Sequence, residues 1–247
     1  MKNDFKVLLK EVFINLLISI GIFAAVLIFL YFCGLIVKDG QLINPYLPLE
    51  LVAGIIGTAY ILIVKNPNNY LGFAIGIIMS VLLGVQFYLE GFKDLTILYY
   101  CVFIPCQIYT LIKWKRGNNQ DMDSEYAIPS FMDVKRFLVV LCILAILMLA
   151  DLFLLQDEFT TAAVISSAIV GSSTLANFLM IRKRTDAWFY WVIFSICGVI
   201  LMILSHNYVT LTLYTIYLFI NGNVCIAWCK QTPKDRYGWL KLFTKKS

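Results

Sequence analysis

Two tryptophans and a serine share one side of a strongly apolar segment, AWFYWVIFS, at residues 187–195. Trp188, Trp191 and Ser195 are spaced i, i+3 and i+7, which aligns them on one face of an α-helix. Indole rings stack on flat or cationic groups, and a hydroxyl can bind a polar edge. Two structural alternatives stay open: Trp188 anchors the helix at lipid headgroups, and Ser195 bonds back to its own helix.

The other polar side chains within the apolar segments are neutral amides and phenols. An amide in hydrocarbon costs several kcal/mol unless it is hydrogen-bonded, so each one must bind a neighbouring helix or face a cavity. With the tryptophans, this chemistry suits a flat, polar solute that is uncharged or singly cationic. The candidate binding residues are Trp188, Trp191, Ser195, Gln86, Gln107, Tyr100, Tyr214, Asn221 and Asn177.

Residues for catalysis or ion coupling are not evident in the sequence. The single histidine, His206, falls in a predicted turn, and the acidic residues fall near the ends of the apolar segments. The seven cysteines form no metal-binding pattern and are interpreted as small buried side chains. We therefore expect no enzyme activity, no metal, no cofactor and no proton coupling.

The helices that must position these residues cross a membrane. The chain has 247 residues, is 61% hydrophobic and has a mean hydropathy of +0.82, which is typical of a polytopic membrane protein. Strand-like alternation is absent, so the prediction is an all-α integral membrane fold with eight transmembrane helices. The predicted spans are 12–37, 49–64, 70–90, 94–114, 136–156, 160–182, 187–205 and 208–229.

The basic residues predict the orientation of these spans. With a cytoplasmic amino terminus, all but Lys38 and Lys93 of the 20 Lys and Arg residues fall on the inside. This asymmetry predicts that both termini are cytoplasmic. The basic tail at 231–247 is expected to lie on anionic lipids rather than to bind nucleic acid.

An internal repeat links the two halves of the chain. Aromatic, carboxamide and tryptophan residues recur seven apart, first as Tyr100, Gln107 and Trp114, then as Tyr214, Asn221 and Trp228, at an offset of 114. A second match, Tyr70 with Trp188, has an offset of 118. The repeat predicts parallel three-helix units, whose sites lie at their interface. Five regions are expected. An amino-terminal segment with an extra helix occupies 1–45, the two repeats occupy 46–116 and 159–230, a linker and the connecting helix occupy 117–158, and the basic tail occupies 231–247.

Four segments carry a family resemblance: NYLGFAIGIIMSVLLGVQ (69–86), QIYTLIKW (107–114), LMIRKRTDAWFYWVIFS (179–195) and INGNVCIAW (220–228). They resemble the PnuC-type vitamin transporters, a family best known for nicotinamide riboside. The resemblance covers about residues 48–232 and implies a 3+1+3 helix core, like that of full-length SWEETs, with one added amino-terminal helix.

The resemblance also implies a function: facilitated diffusion of a vitamin through a homotrimer in the bacterial inner membrane, followed by trapping through cytosolic phosphorylation. Its binding residues fall on Trp188, Trp191, Ser195, Asn221, Gln86 and Gln107.

Two departures leave the substrate open, since Ser195 and Gln107 stand where the nicotinamide riboside pattern has Asn. Thiamine, riboflavin and deoxynucleosides are the alternative substrates. A membrane assembly protein that transports nothing is the alternative from another class.

Overall fold

The chain folds almost entirely into helices in this computed structural model, which describes residues 2–38, 41–42, 44–65, 69–117, 134–156, 158–182 and 186–231. The helices are α1 (Lys2–Phe32), α2 (Leu47–Val64), α3 (Leu71–Leu89), α4 (Lys93–Ile97), α5 (Ile104–Gly117), α6 (Val134–Leu154), α7 (Thr161–Ile181), α8 (Ala187–Leu204) and α9 (Tyr208–Gln231). A π-helical segment, Leu98–Phe103, joins α4 and α5 into one continuous helix, and the strands β1 (Val37–Lys38) and β2 (Gln41–Leu42) form a short antiparallel pair.

Seven helices in the described ranges are long and apolar enough to cross a membrane, so the protein is a multi-pass membrane protein. They are α1, α2, α3, the continuous α4–π–α5 helix, α7, α8 and α9, while α6 has a shorter apolar stretch, Leu138–Leu154. The predicted spans match the observed helix bounds within three residues, except the first. Helix α1 begins at Lys2 rather than residue 12, because the segment with charged residues before the apolar stretch is also helical. A prediction based on apolar residues alone does not detect that segment.

Three helices end in a left-handed turn, at the second residue after the helix. The φ angles are 68° at Gly34, 86° at Gly91 and 55° at His206. In each turn the next amide donates to a carbonyl five residues back, at 2.8 Å after α3 and 3.1 Å after α8. These bonds satisfy the last carbonyls of each helix. Helices α3 and α8 therefore end in the same way, one with glycine and one with histidine.

Two helix trios form the centre of the molecule. The first trio is α2, α3 and α4–π–α5 (47–117), and the second trio is α7, α8 and α9 (161–231). The trios meet along two interfaces, α2 against α9, and α7 against the α4–π–α5 helix. Helix α1 packs on α2 and α6 packs on α7, and both expose many apolar side chains, as expected for lipid contact.

Carboxylates mark one end of the trios, and we call this the acidic end. Glu50 lies in the first turn of α2, Glu90 follows α3 and Asp94 lies in the first turn of α4, while Asp151 lies near the end of α6. Asn207, just before α9, donates to both Glu50 and Glu90, and Ser166 of α7 bonds to Asp94. Hydrogen bonds therefore connect the trios at the acidic end across both of their interfaces.

Candidate functional site

A narrow cavity lies between the two trios, with room for about one water molecule. Its walls are mainly aromatic, with Tyr60, Tyr99 and Phe103 from the first trio and Trp188, Trp191, Phe194 and Tyr217 from the second. Within the described part of the chain, Asn221 is the only lining residue that carries a carboxamide. The cavity thus combines ring surfaces from both trios with one strongly polar side chain.

The ring of Trp191 is held inside the protein. Only 5% of its surface is exposed, so it is not a lipid-facing anchor. It meets Phe103 and Phe194 edge to face, with ring centroids 5.8 Å and 5.2 Å away. Such pairs contribute about 0.5–1.5 kcal/mol beyond area burial. Trp188, one turn earlier on α8, is fully buried and lines the same cavity. Both tryptophans are therefore available to a solute rather than to lipid.

Asn221 is held by two acceptors on α8. Its Nδ2 donates to Ser195 Oγ at 2.9 Å and to the Trp191 carbonyl oxygen at 3.2 Å. Ser195 Oγ in turn donates to the same Trp191 carbonyl at 2.8 Å. Asn221 Oδ1 is buried and has no hydrogen-bond partner among the described residues. Ser195 therefore binds the nitrogen side of the Asn221 amide and leaves the Asn221 oxygen unpaired.

Gln107 makes an equivalent arrangement in the first trio. Its Nε2 donates to Ser80 Oγ at 3.2 Å, and Ser80 Oγ donates to the Gly76 carbonyl at 2.8 Å. Gln107 Oε1 is also buried without a partner among the described residues. Gln107 lies against Gly76, where an added Cβ would be 2.1 Å from Oε1, and not among the residues that line the cavity.

The structure places Gln86 at the acidic end, away from the cavity. Its Nε2 donates to Glu90 Oε1 at 3.0 Å and to Thr210 Oγ1 at 2.8 Å. Burial, together with the nearby Glu50 carboxyl, raises the pKa of Glu90 from 4.5 to about 8. Sequence reasoning missed this network because each of its carboxylates lies near a helix end. The sequence feature that indicates this network is a carboxylate on each of α2, α3 and α4 at the acidic end.

Three further predicted residues lie outside the cavity walls. Tyr214 is fully buried and its ring fills the space beside Gly198, while Asn177 donates to the Ser173 carbonyl of its own helix at 3.0 Å. Tyr100 is 38% exposed. Of the predicted set, the structure thus brings Trp188, Trp191, Ser195 and Asn221 together.

The π-helical segment explains why Tyr99, and not Tyr100, lines the cavity. Tyr99 precedes Phe103 by four residues, whereas the buried Tyr214 precedes Tyr217 by three, and both Phe103 and Tyr217 line the cavity. A π-helical turn accommodates one extra residue and so rotates the residues that precede it about the helix axis. The match of Tyr100 with Tyr214 in sequence therefore does not carry over to their positions in space.

Some predicted features lie outside the described residues. They are the basic tail from residue 232 onward, the linker 118–133 and the side chain of Trp228.

Comparisons with known proteins agree with this architecture. A family model described as nicotinamide mononucleotide transporter matches residues 47–230. The crystal structure of a protein described as the vitamin B3 transporter PnuC superposes with a TM-score of 0.67 at 20% sequence identity, covering 89% of this chain and 90% of that one. At this identity the structural match supports the fold. The search of curated proteins found no match.

Proposed function

Because this chain belongs to the nicotinamide mononucleotide transporter family, we propose that it carries nicotinamide riboside, or a vitamin of similar chemistry, across the membrane. The membership confirms the resemblance to PnuC-type transporters. It also makes the chain a membrane transporter rather than an enzyme, with a small-molecule substrate and a lipid environment.

The observation that carries the proposed substrate is the ring-lined cavity with the free oxygen of Asn221. Aromatic faces bind a flat or cationic ring, and a carbonyl oxygen accepts a hydrogen bond from an amide or a hydroxyl. Among its described lining residues, no Lys or Arg is available to pair with a phosphate. These features favour a nucleoside-like vitamin over a nucleotide.

We propose facilitated diffusion as the mechanism. Among the described lining residues no carboxylate or histidine is present to couple a proton to the solute. The solute would enter from the acidic end, stack on Trp191 and bind Asn221, after which the two trios rock about the site. Phosphorylation in the cytosol would then prevent its return. Accumulation would therefore depend on a kinase and not on an ion gradient.

The proposed architecture follows from the same reasoning. Helix α6 would be the eighth span, connecting two parallel repeats at 46–116 and 159–230, with α1 added outside this 3+1+3 core. The basic residues favour cytoplasmic termini in a bacterial inner membrane. The homotrimer rests on the family resemblance and is proposed on that ground alone.

Uptake into vesicles that contain the purified protein tests this function. We expect saturable uptake of nicotinamide riboside down its gradient, at a rate that a proton ionophore does not change. Calorimetric titration with nicotinamide riboside, thiamine, riboflavin and a deoxynucleoside would identify the preferred solute. Collapse of uptake on addition of ionophore would contradict uniport. Absence of saturable binding to all four would favour the assembly-protein alternative.

A further inference from the structure

The carboxamide of Asn221 can offer the cavity only a hydrogen-bond acceptor. A primary amide has two N–H donors and one carbonyl oxygen. The Nδ2 group donates to Ser195 Oγ at 2.9 Å and to the Trp191 carbonyl at 3.2 Å, so the protein uses both donors. Oδ1 is buried and has no partner among the described residues. A ligand beside Asn221 therefore meets a carbonyl oxygen and no N–H group.

Ser195 fixes this orientation through its own hydrogen bond. Its hydroxyl proton is directed to the Trp191 carbonyl at 2.8 Å, so Ser195 Oγ can only accept from Asn221. A flipped Asn221 amide would place Oδ1 against two acceptors, the serine oxygen and the Trp191 carbonyl. That arrangement would lose two hydrogen bonds in a buried environment, which disfavours the flipped amide.

We propose that Ser195 is a positioning residue that makes the site select solutes with a hydrogen-bond donor at Asn221. The inference rests on the proposed transport function and defines the substrate class that the site accepts. A solute N–H or O–H satisfies the unpaired oxygen. An analogue with an acceptor at the same place leaves two oxygens facing each other, and polar sites reject such mismatches strongly.

The first trio provides a matched control for this role. Ser80 binds Gln107 and the Gly76 carbonyl with the same hydrogen-bond directions. Gln107, however, packs beside Gly76 and Tyr60 and is not among the lining residues of the cavity. Removal of the Ser80 hydroxyl thus disturbs an equivalent hydrogen-bond arrangement without changing the group that faces the solute.

The test is a set of titrations with the full-length protein in detergent. The ligands are nicotinamide riboside and three analogues that each lack one donor group: a carboxylate in place of the carboxamide, a 2′-deoxyribose and a 3′-deoxyribose. We expect one analogue to bind wild type at least about tenfold more weakly, equivalent to about 1.4 kcal/mol. In Ser195→Ala this penalty should fall to about threefold or less, because a flipped Asn221 amide then loses one hydrogen bond, to the Trp191 carbonyl, instead of two. Ser195→Thr, which keeps the hydroxyl, and Ser80→Ala should both retain the full penalty.

The outcomes separate this inference from the proposed function. If wild type binds none of the four ligands, the assignment of nicotinamide riboside fails and the inference fails with it. If wild type binds nicotinamide riboside but no analogue is penalised, or Ser195→Ala keeps the whole penalty, the inference is wrong while transport stands. If Ser195→Ala does not fold, Asn221→Ala provides the test. The weaker binding of the analogue relative to nicotinamide riboside must disappear when the Asn221 oxygen is removed.

Discussion

The two helix trios use one hydrogen-bond arrangement with side chains of very different size. In the first trio a glutamine binds a serine that binds the carbonyl of Gly76, and in the second an asparagine binds a serine that binds the carbonyl of Trp191. The serines, Ser80 and Ser195, are 115 residues apart, as are Gly76 and Trp191. The polar arrangement is shared, while the residue that supplies the carbonyl differs: in α8 it presents an indole ring to the cavity, and in α3 it is a glycine with no side chain.

The acidic end shows a second difference between the trios. Glu90 follows α3 at a position where Ser205 follows α8, 115 residues later. Glu90 accepts hydrogen bonds from Gln86 and Asn207, whereas the Ser205 hydroxyl donates to the Leu201 carbonyl of its own helix. At this position the first trio has a carboxylate and the second has a hydroxyl, and the carboxylate accepts a hydrogen bond from the other trio.

The largest expected effect comes from removing the ring that distinguishes the second trio. Trp191→Ala should weaken solute binding at least about tenfold, because the stacking surface and its edge-to-face partners are lost. Calorimetric titration measures the change. Ile196→Ala, on the exposed side of the same helix, should leave affinity unchanged. Equal affinity of Trp191→Ala and wild type would remove Trp191 from the site.

The next effect comes from filling the equivalent position of the first trio. In Gly76→Ala the new Cβ would lie 2.1 Å from Gln107 Oε1 and 2.6 Å from the Tyr60 ring. Such overpacking destabilises by about 1–3 kcal/mol, so the melting temperature in detergent should fall. Gly222→Ala in α9 has open space and should be neutral or slightly stabilising. A Gly76→Ala protein as stable as wild type would contradict the close fit.

The acidic end should give the first trio a pH-dependent stability. Burial raises the pKa of Glu90 from 4.5 to about 8, so between these values the folded protein binds more protons than the unfolded chain. The free energy of unfolding should therefore decrease as pH rises from about 5 to 8. Melting temperatures across this range test the prediction, and Glu90→Gln should flatten the slope. Glu158→Gln, at an exposed position, should leave the slope as it is in wild type. If Glu90→Gln also leaves the slope unchanged, groups other than Glu90 cause the pH dependence.

The smallest effect concerns the left-handed turns that end α3 and α8. His206→Gly should raise stability by about 1 kcal/mol, because the strain of a side chain at φ 55° exceeds the added flexibility of glycine. Gly91→Ala should lower stability by a similar amount, since its φ is 86° although the surrounding space is open. Thermal melts of both variants test this difference between the two turns. Melting temperatures that shift in the same direction in both variants would contradict it.

Sequence predicted the helices well because long apolar segments and the placement of charges follow directly from the membrane. Sequence also made Trp191 and Asn221 candidate binding residues, because polar and aromatic groups within hydrocarbon need hydrogen-bond or ring partners, and the structure places both at the cavity. Tyr100 was placed by seven-residue spacing, which assumes a regular helix and cannot detect the π-helical segment. The network at Glu90 depends on contacts between distant helices, and residue spacing along one chain does not define them.

The tightness of the ring-lined cavity has a consequence for measured dissociation constants. With room for about one water molecule, this conformation must expand before a nucleoside-sized ligand can enter. If about one molecule in a hundred is expanded at equilibrium, the observed constant is about a hundredfold larger than the intrinsic one. Substitutions remote from every lining ring would then tighten binding simply by making the expanded form more common.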